Sequence, residues 1–151
     1  MNFKNLSVGV VGMGYVGLPL AVEFSKKLNV IGFDINAERI NQLKKKIDVT
    51  KEVSKNEFLG SNKILFSNNL ESLKNCKILI ITVPTPVNSK NRPNLKPLIK
   101  ATNLVSSIVK KNDIIIYEST VFPGATEEIC GPILEKNSGL KINKNLFLGY
   151  S

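Results

Sequence analysis

Three observations predict an α/β fold with a doubly wound parallel sheet. Short apolar runs alternate with helix-period segments along the chain, the clearest being Val8-Gly9-Val10-Val11, Val30-Ile31-Gly32-Phe33 and Ile78-Leu79-Ile80-Ile81-Thr82-Val83. The glycine-rich turn Gly12-Met13-Gly14-Tyr15-Val16-Gly17 follows the first run directly. Asp34 closes the second run, seventeen residues beyond Gly17. Strand, turn, helix, strand and terminal acid in that order form the fingerprint of a βαβ unit that grips a dinucleotide, a Rossmann-type arrangement.

The elements follow in order. A first strand spans about Ser7 to Gly12, and a helix from about Tyr15 to Leu28 places Leu18, Ala21, Val22, Ser25 and Leu28 on one face. Pro19 is tolerated only near the first turn, so the glycine-rich turn must run straight into this helix. A second strand covers Val30 to Asp34. Asn36 is a good N-cap for a helix through about Ile47, with Ile40, Leu43 and Ile47 on its apolar face. A short helix is expected over Ser54 to Leu59, a strand over Lys63 to Ser67 and a short helix over Asn69 to Asn75. The run Ile78 to Val83 is continuously apolar, as a strand buried on both faces requires. Asn88 to Asn94 reads as a polar loop, Leu95 to Lys110 as a helix and Asp113 to Tyr117 as a fifth strand. A helix over Ala125 to Lys136 and a strand over Leu146 to Gly149 complete a single domain of about six strands.

Composition narrows the chemistry. With 151 residues, 42% of them hydrophobic, the chain can bury a real core. No stretch approaches the ~20 apolar residues needed to span a bilayer, and the N-terminus lacks a signal-like apolar core. These features predict a cytoplasmic protein with no membrane partner. Histidine is absent, which excludes a histidine base or metal ligand from this chain. Cys76 and Cys130 have no metal-like spacing and read as structural thiols, so no metal is expected. The net charge of +9 comes from lysines scattered in short groups, with no interleaved aromatic residues. That pattern argues against a nucleic-acid partner and leaves a positive field that would attract an anionic cofactor.

Each residue of the fingerprint has a physical task. Gly12 allows the tight turn, Gly14 lets the backbone approach a pyrophosphate, and Gly17 lets helix and strand pack closely. The amides of Tyr15 and Val16 face phosphate oxygens at the positive end of the helix, and Met13 belongs to the same cofactor-binding turn. Asp34, with Ile35 beside it, is placed to accept the adenosine ribose hydroxyls, which favours NAD over NADP because a 2′-phosphate would meet a like charge. Arg39 could cover the adenine, pair with Asp34 or stand as an ordinary solvated helix residue. Val83, Pro84, Thr85 and Pro86 end the fourth strand on the same edge; they either line the cofactor site or merely stop the strand. Ser119 and Thr120 end the fifth strand. Spacing alone leaves them evenly divided between a ligand role and capping of the next turn.

Three motifs in register resemble the nucleotide-sugar 6-dehydrogenases. Val11-Gly12-Met13-Gly14-Tyr15-Val16-Gly17-Leu18-Pro19-Leu20-Ala21 is similar to that family's opening, and Thr82-Val83-Pro84-Thr85-Pro86 to its fourth-strand end. The run Ile116 to Glu128, including Glu118-Ser119-Thr120-Val121-Phe122-Pro123-Gly124, looks most like the UDP-N-acetylhexosamine branch. The resemblance implies NAD contacts at Tyr15, Val16, Asp34, Arg39, Thr85 and Thr120, with Thr120 close to the reaction centre. It implies a two-step, NAD-dependent oxidation of a UDP-sugar C6 alcohol to a carboxylate, serving surface polysaccharide synthesis, in an enzyme that is a homo-oligomer at full length. Such a reaction needs a thiol nucleophile. In this family that thiol lies in a second domain, reached through a linking helix, and neither Cys76 nor Cys130 matches its place. The expectation is an N-terminal cofactor domain, without linking helix or substrate domain, that binds NAD but does not turn over alone. Two other readings share the first motif: a stand-alone NAD(H)-sensing regulatory module and the cofactor domain of a β-hydroxyacid dehydrogenase. The Thr85 and Ser119-Thr120 motifs weigh against both.

Overall fold

The computed structural model describes residues 6–86, 93–119, 121 and 124–151. Six strands form one wholly parallel sheet in the order β3-β2-β1-β4-β5-β6. They are β1 (Ser7–Val11), β2 (Asn29–Phe33), β3 (Ile64–Ser67), β4 (Ile78–Ile81), β5 (Asp113–Tyr117) and β6 (Leu146–Tyr150). The helices are α1 (Gly17–Ser25), α2 (Ala37–Lys44), α3 (Lys55–Gly60), α4 (Lys96–Ser106) and α5 (Gly131–Ser138). A 3₁₀ turn covers Leu70–Asn75. This is the predicted doubly wound fold. The strand order reverses between β1 and β4, so the carboxyl ends of those two strands open a crevice.

Alternation along the central strands divides the core into two layers. Val8 and Val10 of β1 and Ile80 of β4 join Leu18, Ala21 and Val22 of α1, Ile40 and Leu43 of α2, and Phe58 of α3. Val11, Leu79, Ile81, Ile115 and Tyr117 face the other way, onto Leu98, Ala101 and Val105 of α4 and Leu134 of α5. Each fully buried Leu or Ile contributes roughly 1.5–3 kcal/mol, so the sheet is held mainly by these two layers. The Ser54 capping box and the Asn36 and Asn69 caps start the helices where the side chains predict.

Helix ends depart from the sequence reading. The α2 helix stops at Lys44, and Ile47 is half exposed rather than part of an apolar face. Lys46 adopts φ +58°, its amide donates to the Leu43 carbonyl, and the Ile47 amide reaches the Gln42 carbonyl. That is a Schellman-type stop with lysine in the place usually held by glycine. Similarly, α1 ends at Ser25 rather than Leu28, and α4 at Ser106 rather than Lys110. Beyond both ends the chain tightens into i−3 bonds, Lys26 to Glu23 and Ser107 to Leu104. The expected helix over Ala125 to Lys136 is instead a π-helical turn, Thr126–Cys130, followed by α5. Pro132 explains the widening: its ring would collide with the carbonyl four residues back in a regular helix. Most of the expected polar loop Asn88 to Asn94 lies outside the described residues.

Candidate dinucleotide site

The glycine-rich turn is bound into the crevice from several sides. Gly12 has φ +103°, a conformation that favours glycine, and its amide donates to the Phe33 carbonyl at 2.8 Å. A Cβ on Gly17 would lie 1.8 Å from the Gly12 carbonyl oxygen and 2.4 Å from Thr82 Oγ1, so no side chain fits there. Gly14 is different: a Cβ there would meet nothing within 4 Å of it. The protein thus leaves open space beside Gly14 that packing does not require, where a bound group can approach the backbone. The first turn of α1 carries no acidic residue and no side-chain cap, so its positive end is available to an anion. Tyr15 and Val16 are 70% and 52% exposed at this point.

Asp34 lies just past β2 and ties two segments together. Its Oδ2 accepts from the Met13 amide at 2.8 Å and its Oδ1 from the Asn36 amide at 2.9 Å. Ionised carboxylate oxygens can accept further bonds, so Asp34 retains capacity for ribose hydroxyls. A cavity of about 360 Å³ opens beside it, lined in part by Gly12, Asp34, Ile35, Val83, Lys100 and Leu104. Its size, apolar walls and single carboxylate suit an adenosine group.

Arg39 does not line this cavity and is buried beneath the turn. Its Nε donates to the Met13 carbonyl at 2.8 Å. Its Nη2 donates to Asp48 Oδ1 at 2.8 Å and to Thr50 Oγ1 at 3.3 Å. The solvated-residue reading of Arg39 is therefore incorrect: the side chain is 9% exposed. Arg39 also does not pair with Asp34. Its ionic partner is Asp48, whose carboxylate further accepts from the Thr50 hydroxyl and from the amides of Thr50, Glu52 and Val53. Burial pushes the Asp48 carboxyl up, but the bonds from Thr50, Arg39 and the Val53 amide prevail and hold it at about 2.

The fourth- and fifth-strand ends close the opposite side. Thr82 Oγ1 lies 3.0 Å from the Val11 carbonyl and 2.8 Å from the Gly12 carbonyl, linking β4 to the glycine-rich turn. The Ser119 hydroxyl donates to the Val83 carbonyl at 2.7 Å, linking β5 to the loop after β4. A second cavity of about 150 Å³ is lined in part by Gly14, Tyr15, Val83, Pro84, Thr85 and Ser119. Pro86 follows this lining, and Thr120 lies outside the described residues.

Residues 6–150 match the model of the UDP-glucose/GDP-mannose dehydrogenase family, NAD binding domain. The chain belongs to that family. It is 54% identical over 148 residues to UDP-N-acetyl-D-glucosamine 6-dehydrogenase of Pseudomonas aeruginosa, covering 98% of this chain and 35% of the relative. It is 51% identical over 147 residues to protein CapL of Staphylococcus aureus, covering 97% and 34% respectively. Among solved structures, UDP-D-ManNAc dehydrogenase of Pyrococcus horikoshii superimposes with a TM-score of 0.85 at 29% identity, over 96% of this chain and 35% of that one. The chain thus spans about a third of the length of these relatives.

Membership in the family makes the chain an NAD-binding domain, and the open space at Gly14 and the carboxylate of Asp34 make this crevice the candidate site for that cofactor. The dehydrogenase motifs missed the partners of Arg39 beneath the turn: Asp48 and Thr50 lie outside all of them. The available signal was the Asp48-Val49-Thr50 spacing, in which a carboxylate caps the amide two residues on. Both thiols are buried, as expected of structural cysteines. Burial, helped by the charge of Asp113, pushes the Cys76 thiol up to about 11; burial likewise raises Cys130. Among the described residues no cluster of His, Cys, Asp or Glu could hold a metal, and no helix is long and apolar enough to cross a membrane.

Proposed function

We propose that this chain is the cofactor-binding part of a UDP-N-acetylhexosamine 6-dehydrogenase, oxidising the sugar C6 alcohol to a carboxylate for surface polysaccharide synthesis. The observation that carries the sugar class is the gap in identity. Two relatives named UDP-N-acetyl-D-glucosamine 6-dehydrogenase are 54% and 47% identical, whereas UDP-N-acetyl-D-mannosamine dehydrogenases lie at 30% to 34%. An N-acetylglucosamine substrate is favoured accordingly.

The reaction removes two hydrides, so each substrate molecule consumes two NAD, whose chemistry when bound is to accept a hydride. The chain's own residues bind and orient. Gly14, Tyr15 and Val16 meet the pyrophosphate, Gly12, Met13 and Gly17 shape the turn that presents them, and Asp34 and Ile35 hold the adenosine. Val83, Pro84, Thr85, Pro86 and Ser119 shape the nicotinamide side. Thr120 is assigned to the reaction centre on the motif alone, as a hydroxyl that orients the reacting oxygen. The two thiols take no part as nucleophiles, since both are buried and their ionisation is suppressed.

Titration of the 151-residue chain with NADH, followed by incubation with NAD and UDP-N-acetylglucosamine, tests this reading. Binding without NADH production is expected. Failure to bind NADH contradicts the cofactor assignment, and turnover by this chain contradicts the assignment of the nucleophile outside it.

A further inference from the structure

The second glycine of the turn works through its backbone, so what aims that backbone matters. A trans peptide is planar, with its carbonyl and amide pointing in opposite directions. The Met13 carbonyl and the Gly14 amide belong to one such plane. Arg39 Nε holds that carbonyl at 2.8 Å and thereby fixes the direction of the Gly14 N–H. On the other side of Met13 its own amide is held by Asp34, and its side chain is fully buried in the core. Met13 is therefore fixed at three points, two of them charged groups.

The Arg39 point depends on Asp48. Without a partner, a buried guanidinium would be driven outward by the cost of desolvation. Asp48 supplies the partner from a loop wrapped around its own carboxylate: three backbone amides and one hydroxyl converge on it besides Arg39. The carboxylate is thus immobilised by the loop, and it immobilises the guanidinium in turn. The same pairing neutralises a cation that stands five residues beyond Asp34, where a free arginine would favour a 2′-phosphate.

We propose that Asp48 is a positioning residue for the dinucleotide site: acting through Arg39, it aims the Gly14 amide and maintains the preference for NADH over NADPH. The proposal rests on the NAD reading of the crevice. Its test is a cycle of Asp48→Asn, Arg39→Met and the double variant, each titrated with NADH and NADPH below its melting temperature. Backbone amide exchange across residues 12–17 is followed in the absence of any dinucleotide.

Asp48→Asn is expected to weaken NADH binding about tenfold, to narrow the NADH preference and to speed exchange at Gly14. Added to Arg39→Met, it should weaken NADH binding by less than twofold, because the route through Arg39 is already gone. Lowered melting temperatures with unchanged NADH affinity and preference would overturn the proposal, leaving the pair a purely structural one. Equal, additive losses in both backgrounds would also overturn it. Should Asp48→Asn fail to fold, Arg39→Met decides: weaker NADH binding with faster Gly14 exchange supports the proposal, and wild-type values contradict it. A wild-type chain that binds neither dinucleotide defeats the NAD reading, and the exchange data then decide whether Asp48 orders the turn.

Discussion

The two sides of the crevice are built differently. On the β1–β2 side a network of charged groups holds the backbone: Asp34 and Arg39 grip Met13 from its two ends, and Asp48 anchors Arg39. On the β4–β5 side the ties among the described residues include two neutral hydroxyls, Thr82 onto the glycine-rich turn and Ser119 onto Val83. Charge-assisted bonds are roughly twice as strong as neutral ones. These charged ties thus gather on the side proposed to take the phosphate and adenosine.

Substitutions can break this contrast. The largest effect is expected where both sides meet. Gly17→Val would drive a side chain into the Gly12 carbonyl and Thr82, costing about 3 kcal/mol and shifting the turn. Thermal melting and NADH titration should both register it.

Acid titration comes next. The Asp48 carboxyl sits at about 2 in the fold against 3.8 ordinarily, so the unfolded chain binds the proton more readily. Its contribution is present above pH 4 and is lost as pH falls from about 4 toward 2. The amount is on the order of 2 kcal/mol. Chemical denaturation across that range should show a steeper loss for the wild type than for Asp48→Asn.

Ser119→Ala should have the smallest effect. It removes one neutral hydrogen bond to the Val83 carbonyl, at about 1 kcal/mol. A loss as large as that of Asp48→Asn would show that the neutral tie holds its side as strongly as the charged one.

The same contrast explains what could be read in the sequence. The parallel sheet followed from apolar runs such as Ile78–Ile81, because a doubly covered parallel strand has little alternative composition. The turn was legible because Gly12 and Gly17 are required by local sterics, visible in one short stretch. Asp48 was not, since its importance comes from a guanidinium brought to it by α2 and a carbonyl brought by the turn. The stop at Lys46 was hidden for another reason: the residue carries no preference for the left-handed conformation it adopts. The π-helical turn before Pro132 was in principle readable, for a proline inside a helical pattern demands local rearrangement. Thr82 and Ser119 could be placed on the correct edge, but their partners lie on β1 and in the loop after β4, and only the fold reveals them.

Gly14 separates fold from function most cleanly, because its missing side chain is not needed for packing. The decisive measurement is NADH binding by Gly14→Ala, set beside its melting temperature. An unchanged melting temperature with NADH affinity reduced at least tenfold is predicted, since a methyl group would occupy the space left for the pyrophosphate. Wild-type affinity in a folded Gly14→Ala protein would contradict the placement of the dinucleotide in this crevice.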